Sequence, residues 1–249
     1  MALGKVSVNN LNLGQGAVTE IERYFLFIGT GAKSVGTLIP LNTDSDLDSA
    51  LGIPASDLKT QITAAKLNGG DRWACLAAPI AADGDWSEAL ENAQQQGFSV
   101  EAVVITKPVT AAAQLSAMHD AAIELNNVYG RRAFVMAASA GITPLQTWDQ
   151  YLIEQRAITT GLAAPRVLVV PQLHGNDLGV LAGRLANAAV SIADSPMRVA
   201  SGAVLGLGAV PNDLEGVPLP SAIRAELDKA RFSVSQTYPD YPGVFWGDG

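Results

Sequence analysis

From about residue 22 onward the chain alternates two patterns: short apolar or β-branched runs, and longer stretches in which apolar residues recur every three to four positions. Such alternation predicts an α/β architecture. Tyr24–Ile28 reads as the first strand, stopped by Gly29-Thr30-Gly31. Asp44 and Asp46 stand where an N-cap and an acidic first turn belong, ahead of Leu47, Ala50 and Leu51. A second helix follows Pro54, with Leu58, Ile62, Ala65 and Lys66 near one face and Asn68-Gly69-Gly70 as its stop. Further strands are expected over 73–79, 100–105, 133–138 and 166–170, and further helices over 85–96, 109–128, 145–160 and 177–192. In the Ala-rich helix over 109–128, Leu115, Met118, Ala122 and Leu125 form one buried stripe, closed by Gly130.

Strands that return through a helical crossover run parallel, so these units predict a mostly parallel sheet with helices on both faces. Val103-Val104-Ile105 and Val167–Val170 are apolar without alternation, as strands covered on both faces should be. Past residue 193 the rhythm gives way to repeated Pro and Gly, which predicts a less regular α+β C-terminal region with a helix over 220–230 and a strand over Phe232–Tyr238. The final aromatic-rich stretch, ending on Asp248-Gly249, is expected to be a chain cut in mid-structure. Ahead of the body, Val6, Val8, Leu11 and Leu13 alternate with polar residues as in a half-buried strand, a local edge strand or an arm long enough to reach a neighbour. The expected organisation is an arm over 1–20, an α/β body over 21–193 and a truncated C-terminal region over 194–249.

Composition narrows the function. At 48% hydrophobic over 249 residues the chain can bury a sizeable core, which excludes a disordered tail. Sixteen basic against 24 acidic residues leave a net charge of −8, which disfavours nucleic acid as the main partner. Charged residues are only 16%, below the roughly 25% of an average soluble domain. No apolar run approaches the ~18 residues of a membrane span, so the excess reads as core or subunit contact, without membrane insertion. The first ten residues lack an apolar stretch and a small-residue cleavage site, so no secretory signal is expected. A single cysteine, Cys75, cannot close an intrachain disulfide and reads as a small core residue.

The chemistry-bearing motifs are each incomplete. A strand runs into Gly29-Thr30-Gly31, but the third fingerprint position is Ser34, Gly36 comes two residues late, and Thr37–Leu41 reads as extended chain where a phosphate-binding helix belongs. Lys33-Ser34 lacks the P-loop glycines, with Ala32 and Phe27 in their places. Ser139 follows a strand as in a nucleophile elbow, but Ala137 replaces the first glycine, and only His174 lies downstream as a base. Asp44, Asp46 and Asp48 start like a calcium loop, yet Ser49 and Ala55 stand where its glycine and glutamate are required. His119, His174 and Cys75 form no metal-ligand spacing. No catalytic, cofactor or metal residues are assigned; the alternative is a nucleotide- or dinucleotide-dependent α/β enzyme using the Gly29–Gly36 turn.

The order of segments carries a resemblance. Pro40–Asp44, Asp48-Ser49-Ala50-Leu51-Gly52 and Leu67-Asn68-Gly69-Gly70-Asp71-Arg72-Trp73, followed late in the chain by Leu178–Arg184 and Asp194-Ser195-Pro196, resemble the contractile phage tail sheath family, also found in related contractile injection systems. That resemblance implies a virion structural protein and no enzyme. Its subunits would form stacked hexameric rings around a tail tube, stitched by terminal arms that add strands to a neighbour's sheet, and would contract by re-docking. The partners implied are the chain itself, a tail tube protein, and baseplate and tail-terminator proteins, with no cofactor. The implied location is the virion tail, assembled in the bacterial host cytoplasm.

Overall fold

The computed structural model describes residues 23–187 and 202–246. Its centre is a six-stranded sheet built from β1 (Phe25–Thr30), β2 (Ile39–Asn42), β3 (Ala74–Ile80), β4 (Ala102–Val109), β5 (Phe134–Ser139) and β6 (Val167–Pro171), in the order β2-β3-β1-β4-β5-β6. Every pairing is parallel except that of β2 with β3. The mostly parallel sheet is therefore present, and the extended Thr37–Leu41 stretch contains an antiparallel edge strand. Pro40 fits there because an edge position tolerates a missing donor. Phe25, Ala102 and Phe134 lie in register across three strands, so β1, β4 and β5 enter the sheet at one level.

Side chains alternate between two cores. Leu26, Ile28, Val103, Ile105, Val135 and Ala137 point to one face, where α3 (Trp86–Gln95), α4 (Ala112–Tyr129), α5 (Trp148–Thr159) and α7 (Ser221–Lys229) pack. Phe25, Phe27, Val104, Met136 and Ala138 point to the other, against α1 (Leu47–Leu51), α2 (Asp57–Asn68) and α6 (Asp177–Ala186). Leu115, Met118, Ala122 and Leu125 form the buried stripe of α4, and Gly130 ends that helix at φ 67°, a left-handed turn that suits glycine. Asp46 caps α1 through the N–H groups of Asp48 and Ser49, and Thr147 with Gln150 forms a capping box on α5. That cap explains why α5 starts at Trp148 and not at Leu145.

The C-terminal residues join both layers. Leu219, Ile223, Leu227, Phe232 and Val234 enter the first core, whereas Val204 and Trp246 enter the second. The strand expected over Phe232–Tyr238 is shorter: β7 covers Ser235–Tyr238 and pairs antiparallel with β8 (Tyr241–Trp246). Phe232–Val234 instead lies against β6, where the Ser233 N–H donates to the Val169 carbonyl at 2.9 Å. The indole N–H of Trp246 donates to Ser233 Oγ at 2.7 Å, fixing the hairpin to that segment. Among the described residues, no helix is long and apolar enough to cross a membrane.

Candidate functional site

The two glycine-bearing motifs, Asn68-Gly69-Gly70 and Leu178–Arg184, are more than 100 residues apart in sequence yet meet at the crossing of α2 with α6. Gly179 and Gly183, one turn apart, face Gln61 and Ala65, also one turn apart, so the two backbones touch. A Cβ on Gly179 would lie 2.1 Å from the Gln61 carbonyl oxygen, and one on Gly183 would lie 2.3 Å from that of Ala65. Only glycine permits this approach. The Gln61 side chain locks it: Oε1 accepts from the Gly179 N–H at 2.7 Å, while Nε2 donates to Gln172 Oε1 and to the Gly175 carbonyl, both at 3.0 Å. Every residue of α6 is buried.

Asn68 ties the end of α2 to the C-terminal region. Its amide donates to the carbonyls of Ala64 and Leu205, and its Oδ1 accepts from the Leu205 N–H at 2.8 Å. Asn176, the N-cap residue of α6, makes no side-chain cap bond. Its amide donates to the Gly206 carbonyl at 2.7 Å and its oxygen accepts from the Gly208 N–H at 2.9 Å. At the start of α6, buried Asp177 accepts from the His174 N–H at 2.6 Å and sits 2.8 Å from His174 Nδ1. Burial lowers the pKa of Arg224, and the charge of Asp177 acts in the opposite direction. Arg184, lowered by burial, donates to the Gly202 carbonyl at 2.6 Å. These polar groups act as internal fasteners between α2, α6 and the 202–208 segment.

Residues that suggested enzymatic chemistry are placed elsewhere and apart. The turn after β1 leads to β2 and not to a helix, and its Gly31 and Gly36 N–H groups donate to the carbonyls of Ile80 and Pro79 at 3.1 and 2.9 Å. Those donors are thus unavailable to a phosphate, and the nucleotide alternative loses its cradle. A Cβ at Gly29 would lie 1.8 Å from Thr106 Oγ1, so this glycine serves strand packing. Ser139 is fully buried and donates to Gln155 Oε1 at 2.7 Å, which leaves it no approach to a substrate. Asp46 is a helix cap, Asp48 pairs with Lys59, and His119 lies on α4. Cys75 is buried, and burial pushes its thiol far above the usual range. Burial, then the charges of Asp177 and Glu154, likewise raises the Tyr151 phenol. No group of three or more His, Cys, Asp or Glu gathers as a metal site among the described residues. The candidate arm residues Val6, Val8, Leu11 and Leu13 lie outside the described residues.

Surface features that periodicity does not reveal are concave or apolar. Along β6, an edge strand, Phe134, Leu162, Val167, Leu168 and Leu185 line an open groove of about 780 Å³. Another groove, of about 650 Å³, runs along α2. The patterns that found the core are blind to these, because they mark which residues face inward and not where neighbouring elements leave a concave surface, closed here by Phe134 and Leu185 in one groove and by Asn176 and Gly206 in the other.

Comparison with known proteins gives these features a context. Residues 3–249 match the family model DUF2586, N-terminal domain. A protein of Haemophilus phage HP1 (strain HP1c1), described as a candidate tail sheath protein, is 40% identical over 252 residues, covering 98% of this chain and 67% of that protein. Among solved structures, the sheath tail protein of Desulfitobacterium hafniense shares the fold with a TM-score of 0.53 at 10% identity, covering 97% of this chain and 73% of that one. The helical sheath of the anti-feeding prophage in its contracted state shares it with a TM-score of 0.51 at 15% identity, covering 97% of this chain and 67% of that one. The relatives are structural proteins of the phage tail and of contractile injection systems, not enzymes. With the matched model spanning nearly its whole length and a 40% identical relative covered over two thirds of its length, the chain belongs to the DUF2586 family and to the phage tail sheath proteins.

Proposed function

We propose that the chain is a subunit of a contractile tail sheath that self-assembles into stacked hexameric rings around a tail tube and drives contraction when the subunits re-dock at a different pitch. The single observation that carries this reading is the 40% identity, over 98% of the chain, to a candidate phage tail sheath protein. The fold adds support. An α6 buried on every side, with its backbone against α2, makes the body a rigid unit suited to transmitting force without internal rearrangement. An edge strand beside an apolar groove suits strand addition by an arm, such as the alternating Val6, Val8, Leu11 and Leu13. In this reading residues 1–20 form the arm, 21–193 the body and 194–249 a C-terminal region engaged in assembly. Partners are further copies, a tube protein, and baseplate and terminator proteins, and assembly takes place in the host cytoplasm before incorporation into the virion tail.

The test is assembly of the full-length protein, read by sedimentation velocity and negative-stain electron microscopy. Rings or tubes with six-fold end views are expected. A monomer that persists at high concentration, with or without the tube protein, overturns the reading.

A further inference from the structure

Two exposed features on opposite faces of the sheet are built to different plans. On the α1–α2 side, the groove along α2 is lined by Ile53, Lys59, Thr60, Thr63, Lys66 and Leu67 among others, and lysines are its only ionisable lining residues. Ile53 is 82% exposed and Leu67 53%, a large apolar surface left in water. Lys59 is matched by Asp48 on the rim. Lys66 instead donates to a neutral carbonyl, that of Ser45, at 2.7 Å, and forms no ion pair among the described residues.

On the α5–α7 side, residues 210–219 form a tongue. Buried Asp213 organises its tip: Oδ1 accepts from the N–H groups of Glu215 and Val217 at 3.0 and 2.9 Å, and Oδ2 accepts from the Trp148 N–H at 3.4 Å. The Trp148 indole N–H donates to the Val217 carbonyl at 3.0 Å, and the Leu214 N–H to that of Gln146 at 2.9 Å. A tip held this way has its shape before anything binds, which removes an ordering cost from docking. It presents Leu214 at 55% exposure and Val210 at 54%, with Leu145 at 82% beside Gln146. Glu215 is exposed at the tip, Asp149 and Glu154 lie nearby on α5, and neither 143–155 nor 209–219 contains a Lys or Arg.

We propose that the tongue of one subunit docks in the α2 groove of the next, with Leu214 and Leu145 covering Ile53 and Leu67 and with Glu215 facing Lys66. The proposal rests on the sheath reading for the identity of the occupant as a second copy. The match itself comes from a convex, acidic, apolar tip and a concave, lysine-lined, apolar groove. Because the two patches differ and lie on opposite faces, the contact is head-to-tail. It repeats from copy to copy, closing into a ring or extending as a helix, as a sheath requires.

Full-length protein carrying Lys66→Glu or Glu215→Lys is expected to need about tenfold higher concentration to assemble, and the double exchange is expected to restore assembly. Glu215 is exposed, so circular dichroism and the melting temperature of Glu215→Lys should match the parent, whereas Lys66→Glu also loses the bond to the Ser45 carbonyl and is read against its own melting temperature. A Thr63→Cys/Leu214→Cys variant should give a ladder of disulfide-linked oligomers on oxidation, because native Cys75 is buried. If the parent assembles while both single variants assemble like it and no ladder forms, the docking is overturned and the sheath reading stands. Single variants that fail without rescue by the double exchange, and without a ladder, overturn the docking as well. A parent that forms no assembly overturns both.

Discussion

Adding one methyl group at Gly183 tests the helix crossing on which the body depends. A Cβ there would lie 2.3 Å from the Ala65 carbonyl oxygen and 2.7 Å from Ala65 Cα, both backbone atoms of α2 that cannot rotate aside. Bringing the shorter contact even to 3.0 Å requires the helices to part by 3.0 − 2.3 = 0.7 Å, and the separation loosens the neighbouring contacts of Ile62, Leu181 and Leu58. Overpacking of this kind costs about 1–3 kcal/mol. Helix propensity acts the other way, since replacing glycine by alanine inside a helix gains up to about 1 kcal/mol. The net expectation for Gly183→Ala is a loss of about 1–2 kcal/mol, a fall in Tm of roughly 2–8 °C for a chain of this size. Urea unfolding followed by tryptophan fluorescence gives the midpoint. Ala117→Gly on the exposed face of α4 serves as the propensity control and should lower stability by about 1 kcal/mol with no packing involved. Gly179→Ala/Gly183→Ala should cost less than the sum of the single changes, because one displacement relieves both clashes. A Gly183→Ala protein more stable than the parent refutes the close-contact argument, because propensity alone would then govern the site.

Asn68→Ala removes both partners of the Leu205 backbone and leaves those groups to find water, so a loss of about 2–3 kcal/mol is expected, with reduced hydrogen-exchange protection at the Leu205 amide. The Cys75 thiol, buried and pushed up in pKa, should stay unlabelled by a thiol reagent in the native protein and react fully once denaturant is added. The Glu226 carboxyl is held below its ordinary 4.5 by a hydrogen bond from and the charge of Lys229, then by Arg156. Since its folded pKa is depressed, its contribution to stability is present above 4.5 and disappears as the pH falls through the lower folded value. The stability difference between parent and Glu226→Gln should therefore be small, salt-sensitive, seen at neutral pH and lost at strongly acidic pH.

The parallel body was legible because its signals are local and periodic. Val103–Ile105 announces a strand covered on both faces, Val167–Val170 announces a strand but one at the sheet edge whose Val167 and Leu168 are only half-buried, and Leu115, Met118, Ala122 and Leu125 announce a helix with one buried side. The failures have a common physical source. β8 escaped notice because Tyr241-Pro242-Gly243 reads as a breaker, and it becomes a strand only through pairing with β7 and burial of Trp246 under the second core. Phe232–Val234 looks like a strand by composition, yet its placement is decided by burial of Phe232 and Val234 in the first core and by the Ser233 bonds to Val169 and Trp246. The docking surfaces were less legible still. Leu145, Leu214 and Ile53 are apolar residues in turn contexts, and sequence alone does not distinguish an exposed leucine from a buried one.

Glycine explains why the enzyme-like and the assembly-like readings began on similar ground. In a nucleotide site a glycine lets backbone approach phosphate; in a helix crossing it lets backbone approach backbone, and a short motif does not say which. The disposition of hydrogen-bond donors decides between them here. After β1 the Gly31 and Gly36 N–H groups already bond to the carbonyls of Ile80 and Pro79 respectively, so the two glycine donors of the turn do not converge on an anion. At α6 the Gly179 N–H is taken by Gln61, and the space a Cβ would fill is occupied by α2. Both glycine clusters therefore spend their freedom on internal contact, and the outward-facing groups left over are apolar side chains and surface charges. A surface that carries exposed apolar side chains beside charges such as Lys66 and Glu215 is equipped to bind copies of itself.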